Sequence, residues 1–213
     1  MKRALSRAAS EYPYVANSDA MNVQPTVLIV PGLREHVPEH WQTLLEARLA
    51  GARSVPRMEP DSPGKLSCDA WVAALDRSIA ASEVPVVLVA HSAGAIIVAH
   101  WARRHRRAVA GALLATPADI ECPLPPGYPT VEVLKRNGWL PIPREPLRFP
   151  SIVAASSNDP LARHDRVAEL ALAWGSRLVD VGAVGHLNPA SGYGEWPRGE
   201  ALLRELVSRL THE

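Results

Sequence analysis

The stretch Pro85-Val86-Val87-Leu88-Val89-Ala90-His91-Ser92-Ala93-Gly94-Ala95-Ile96-Ile97-Val98 decides the fold. Residues 86–90 form a short, mostly β-branched apolar run, the pattern of a strand buried on both faces. From Ala93 to Trp101 the apolar residues recur on a helical period. Ser92 therefore occupies a strand-to-helix turn of almost no length. Such a turn is strained and needs small residues two positions to either side, here Ala90 and Gly94. It lifts the hydroxyl clear of the backbone at the carboxyl edge of a sheet, against a helix N-terminus. The pattern is a variant of G-x-S-x-G, with Ala90 at the first glycine. A serine that only caps the following helix gives the same local sequence, so the rest of the chain has to decide.

Outward from this turn the chain alternates. Strands are predicted near 26–30, 53–57, 85–90, 110–115, 151–156 and 177–181. Helices are predicted near 39–50, 69–81, 93–105, 161–174 and 197–211. Short loops between alternating elements imply an α/β fold, a mostly parallel sheet with helices on both faces and right-handed crossovers. The exception is 116–150, which carries nine prolines and one short helix-like stretch, 131–136. Long loops inside compact domains are usually functional. This one follows the strand beside the serine strand, so it can drape over the active edge. Trp139, Leu140 and Ile142 are its candidates for a pocket wall, with Trp139 as a substrate contact. The alternative is a rigid cover over the sheet.

A serine hydroxyl is a poor nucleophile without a base to take its proton and an acid to orient that base. Partners should lie at the carboxyl ends of later strands. Asp159 follows the strand at 151–156, and His186 follows the strand at 177–181. Asp159 also precedes Pro160 and can cap the helix after it. Asp180 is a rival acid, but it lies inside a strand. His91 is expected to point to the opposite side of the turn from Ser92. Two backbone N–H groups are needed for a developing oxyanion. Ala93 offers one, and Leu33, after the sharp turn Pro31-Gly32, offers the other. His40 and Trp41 are near enough to that loop to line a pocket mouth. Trp41, Trp71 and Trp196 also suit core packing.

The chain resembles the small serine-hydrolase family of α/β-hydrolases, the group of retinoblastoma-binding protein nine and the bacterial YdeN-type proteins. The resemblance rests on Val30-Pro31-Gly32, Glu39-His40-Trp41-Gln42, Asp69-Ala70-Trp71-Val72, Ala90-His91-Ser92-Ala93-Gly94, Ser156-Ser157-Asn158-Asp159-Pro160 and Gly185-His186-Leu187-Asn188-Pro189-Ala190-Ser191-Gly192. The tail from Gly194 to Gly199 with Leu202-Leu203 adds to it. These motifs cover about 25–211 in the family's order. The resemblance implies Ser92, Asp159 and His186 as a catalytic triad, and an α/β-hydrolase three-layer sandwich without a large cap domain. It supplies no substrate. The expected activity is cleavage of carboxylic esters of small acyl substrates through an acyl-enzyme. The alternative is a low-turnover hydrolase-fold protein that acts as a binding module.

Composition agrees with one enzyme domain over 25–213, preceded by a loose extension at 1–24. The 213 residues are 47% hydrophobic with net charge +1, enough for one sizeable core. Nothing in that balance points to nucleic acid or a membrane surface. No segment reaches the roughly 18 apolar residues of a membrane span. Residues 1–24 lack the apolar core of a secretory signal, and Met21 is a candidate start that an N-terminal mass would test. Cys68 and Cys122 have no metal-ligand spacing and suit a reducing, cytoplasmic setting. His36 and His40 are four apart, but Pro38 lies between them and no third ligand is evident, so no metal is expected. The chemistry calls for no cofactor. The basic run Arg103-Arg104-His105-Arg106-Arg107 is read as a solvated helix end suited to the dipole, with an anion or partner site as the alternative.

Overall fold

The structure, a computed structural model, describes residues 25–34, 37–59, 61–62 and 64–210. The extension at 1–24, with Met21, and His36 lie outside the described residues.

Six strands form one sheet: β1 (Thr26–Val30), β2 (Arg53–Ser54), β3 (Val86–His91), β4 (Gly111–Ala115), β5 (Ser151–Ser156) and β6 (Arg177–Gly182). Every pairing is parallel, in the order β2-β1-β3-β4-β5-β6. The helices are α1 (Trp41–Arg48), α2 (Cys68–Ala80), α3 (Ala93–Arg104), α4 (Val131–Arg136), α5 (His164–Ala173) and α6 (Pro197–Leu210).

Side-chain alternation along the strands divides the core in two. Leu28, Val30, Leu88, Ala90, Leu114 and Val153 face the layer built by α2, α3 and α5. Ile29, Val87, Val89, Leu113, Ile152 and Ala154 face the layer built by α1 and α6. The central strands β3, β4 and β5 are buried along their whole length, which is why they read as continuous apolar runs. Trp41 and Trp196 meet edge to face at 4.9 Å under the second layer.

Two elements are shorter than the sequence predicts. The second strand ends at Ser54 rather than at 57; it is an edge strand, and Pro56 has no N–H to continue the ladder. The helix α5 begins at His164 rather than at 161. Leu161 is engaged before it: its N–H donates to Asp159 at 2.8 Å and its carbonyl accepts from Asp119 N–H at 3.0 Å.

The chain order reverses between β1 and β3, because β2 lies outside β1 while β4 lies beyond β3. The carboxyl ends of adjacent β1 and β3 therefore splay their loops apart and leave a crevice. Ser92 follows β3 and Pro31-Gly32-Leu33 follows β1, so both border that crevice.

The basic run at the end of α3 is spent locally. Arg103 pairs with Glu145, Arg104 with Asp69 and Arg107 with Asp76, while Arg106 donates to the carbonyls of Arg103 and His105. These are exposed pairs of small individual value at a helix C-terminus.

Candidate active site

Ser92 has φ 57° and ψ −126°, a backbone conformation that costs a non-glycine residue about 1–3 kcal/mol. Three contacts over-determine it. Ser92 N–H donates to Ala115 O at 3.0 Å. A Cβ on Gly94 would stand 2.4 Å from Val30 O and 2.7 Å from Pro31 O, so only glycine lets α3 start this close to β1. A Cβ on Gly32 would stand 3.2 Å from Ser92 Cβ.

The Ser92 hydroxyl lies 2.8 Å from His186 Nε2. His186 Nδ1 lies 2.8 Å and 3.0 Å from the two carboxylate oxygens of Asp159. A carboxylate only accepts, so Nδ1 carries the hydrogen and donates it to Asp159. That leaves the Nε2 lone pair facing the serine O–H. The side chains of His186 and Asp159 are 5% and 1% exposed, so water does not dilute this contact. The three residues that strand ends, chain order and the family resemblance single out are brought within hydrogen-bond distance across 94 and 27 positions.

The loop bearing His186 is itself held. Asn158 Oδ1 accepts from Gly185 N–H at 2.6 Å and from Ser156 Oγ–H at 3.0 Å. Ser191 Oγ accepts from His186 N–H at 3.0 Å and donates to Asn188 Oδ1 at 2.9 Å. Gly185, at φ 58°, has no room for a Cβ against Ser191 Oγ at 2.4 Å. This explains why Asn158, Asn188 and Ser191 sit in the motifs beside Asp159 and His186. Asp159 takes both roles read from the sequence, since it also accepts from Leu161 N–H. The rival Asp180 turns outward to Gly182 N–H.

The crevice widens into a cavity of about 290 Å³. Leu33, Arg34, Arg57 and His40 line one side, with Ser92, Ala93, His91 and His186 at its base. Ala118, Ile120, Leu124, Tyr128 and Leu161 supply its apolar lining, with Tyr128 in contact with Arg34. Leu33 and Ala93, the expected oxyanion donors, both border the cavity beside the serine.

Other expectations are corrected. Trp139 is fully buried, 6.5 Å from the Trp71 ring, and its indole N–H donates to Leu66 O at 2.6 Å. It does not line the cavity, nor do Leu140 and Ile142. The proline-rich segment reaches the cavity through 118–128 instead, because Trp139 is drawn against Trp71 of α2 and His100 of α3 and Ile142 is taken into the core. Trp41 is 3% exposed in the core and does not line the cavity, whereas His40, the residue before it, does. His40 caps α1, its Nδ1 accepting from Gln42 N–H at 3.2 Å.

His91 does not point away from the site. It continues the alternation of Val87 and Val89 onto the α1 face, and the His186 loop lies over that face. The His91 and His186 rings are 4.8 Å apart, and His91 Nε2–H donates to His186 O at 2.8 Å. Sequence reasoning missed His91 and Gln42. Gln42 is buried and donates to Val30 O at 3.2 Å and Val89 O at 3.0 Å, tying α1 to the ends of β1 and β3. A polar residue next to a cap on an otherwise apolar face was the available signal.

Burial, then the charges of His186 and His40, hold the His91 imidazole well below its ordinary pKa. Burial also lowers His100, whose Nε2–H donates to Trp139 O at 2.9 Å. In the unfolded chain both titrate near 6.5. Below that pH the unfolded state binds more protons than the folded one, so stability falls as pH drops from about 6.5 toward the folded values. The thermal midpoint is expected to fall between about pH 7 and pH 5. His100→Gln keeps a donor for Trp139 O and should flatten part of that slope. An unchanged slope in the variant would contradict the assignment.

A parallel αβ sheet with this serine turn at its switch point defines the α/β-hydrolase class. The family model for serine hydrolases matches residues 27–205, and the chain belongs to that family. Among solved structures, a protein described as a YdeN-like hydrolase of Pectobacterium atrosepticum is 33% identical, over 88% of this chain and 92% of that one, with a TM-score of 0.74. The ydeN gene product of B. subtilis is 20% identical, over 86% and 99%, at 0.66. A thermophilic esterase from Thermogutta terrifontis is 17% identical, over 87% and 90%, at 0.62; the last two likenesses speak to the fold alone. Among curated proteins no match is found. No described helix is long and apolar enough to cross a membrane.

Proposed function

We propose that this serine hydrolase cleaves carboxylic esters of small acyl substrates, with Ser92 as nucleophile, His186 as base and Asp159 as its orienting acid. The observation that carries the reading is the hydrogen-bonded chain Ser92–His186–Asp159 at the base of a cavity of about 290 Å³. That volume is at the small end of ligand pockets.

Ser92 Oγ attacks the carbonyl carbon as its proton passes to His186 Nε2. The C=O electron pair moves to oxygen, where the N–H groups of Ala93 and Leu33 receive it. Collapse breaks the C–O bond, and His186 returns its proton to the leaving alcohol. Water repeats the sequence on the acyl-enzyme, releasing the acid and restoring Ser92. Asp159 keeps the imidazole in the required tautomer and stabilises its charged form. The apolar wall suits the acyl limb. The substrate is a free small molecule, and a cytoplasmic setting fits the two unpaired thiols.

The test is labelling by a fluorophosphonate probe with the modified peptide mapped. Modification at Ser92, absent from Ser92→Ala, supports the reading. A folded sample that stays unlabelled would move the binding-module alternative ahead.

A further inference from the structure

The charge around the cavity is one-sided. Arg34 and Arg57 line it, and among the described residues no Asp or Glu does. His91 is held neutral by burial, and the carboxylate of Asp159 is committed to His186.

Arg34 is also built into position. Arg57 donates to the carbonyls of Gly32 at 3.0 Å and Arg34 at 2.7 Å, which fixes the backbone of the loop. The Arg34 guanidinium then lies 4.2 Å over the ring of Tyr128. Tyr128 follows Gly127, which turns the chain at φ 90°, and precedes Pro129; its N–H donates to Pro125 O at 3.3 Å, closing that turn. Stacking orients the fork but uses none of its edge N–H donors. Among the described residues Arg34 makes no ion pair. A planar fork, oriented, unpaired and beside an apolar wall, matches a carboxylate.

We infer that the cavity selects esters that carry a second, anionic end, a carboxylate held by Arg34 over Tyr128, on the acyl or the alcohol limb. This rests on the hydrolytic reading above and names its substrate class. The β-carbon position of Gly32 is 3.6 Å from Ser92 Oγ, and Arg34 follows two residues later in the same loop, so the serine and the carboxylate subsite share one cavity. A monoester of a six-carbon dicarboxylic acid tests the separation between them.

The experiment compares matched esters on the full chain. Mono-4-nitrophenyl adipate is set against 4-nitrophenyl hexanoate, and 4-carboxyphenyl hexanoate against phenyl hexanoate. The carboxylated member of at least one pair is expected to have a kcat/KM about tenfold higher, as one charge-assisted bidentate contact supplies. In Arg34→Ala that ratio should approach one, in Arg34→Lys it should be partly kept, and in the parent protein it should shrink with added salt. Ratios of one or less in both pairs, or a ratio that Arg34→Ala leaves untouched, would overturn the inference while hydrolysis stands. Calorimetric binding of the adipate monoester to Ser92→Ala, with and without Arg34→Ala, reads the subsite without turnover. Arg34-dependent binding in a protein whose parent turns over neither ester would sink the hydrolytic reading and keep the subsite.

Discussion

Ser92→Ala is expected to lower kcat for a small ester by roughly 10³- to 10⁶-fold, with the thermal midpoint little changed. The hydroxyl is the only atom lost, and the turn is held by Gly94 against the β1 carbonyls rather than by that hydroxyl. His186→Ala should do comparable damage, because without Nε2 nothing removes the Ser92 proton. The double variant should be no worse than either single one, since the pair acts as a unit. Asp159→Asn should cost about 10³- to 10⁴-fold through the wrong tautomer. A Ser92→Ala protein that keeps a tenth of the parent rate, or losses that multiply in the double variant, would show that the two residues do not share one step.

The second large effect is on stability. Trp139→Ala is expected to destabilise the fold by about 3–5 kcal/mol. The indole is fully buried, packs near Trp71 and donates to Leu66 O, and its own carbonyl accepts from His100. A lower urea midpoint with an unchanged KM is the expected pair of results. An unchanged midpoint with a raised KM would return Trp139 to the substrate.

The contrast between these residues shows what a sequence makes legible. Strands β3, β4 and β5 are readable because both faces are buried, which leaves continuous, mostly apolar runs. Ser92, Asp159 and His186 were readable because each stands where a strand ends, and strand ends are where periodicity breaks. The pocket wall was not readable in the same way. Trp139 and Ile142 on one side and Ile120, Leu124 and Tyr128 on the other are all large and apolar. Which set turns inward is decided by long-range packing, here that of Trp139 against Trp71 of α2 and His100 of α3. His91 was misread for a related reason. The sequence places its side chain across the turn from Ser92, and only the fold shows that the loop from β6 crosses that same face. The early end of β2 was in the sequence, at Pro56, and was overlooked.

The two walls of the cavity have different standing. On the β1 side, Gly32 and Gly94 are wedged against Ser92 and the carbonyls of Val30 and Pro31, so any added carbon is felt at the nucleophile. The 118–128 wall is anchored at a distance, by Asp119 and Glu121 on Arg166 and by Glu121 on Arg144. Ala118 and Ile120 are themselves buried in the core, so on this wall only the half-buried Leu124 and Tyr128 can be exchanged without opening it. The side that holds the nucleophile is thus closed to substitution, and the cavity's selectivity can be retuned chiefly from Leu124 and Tyr128.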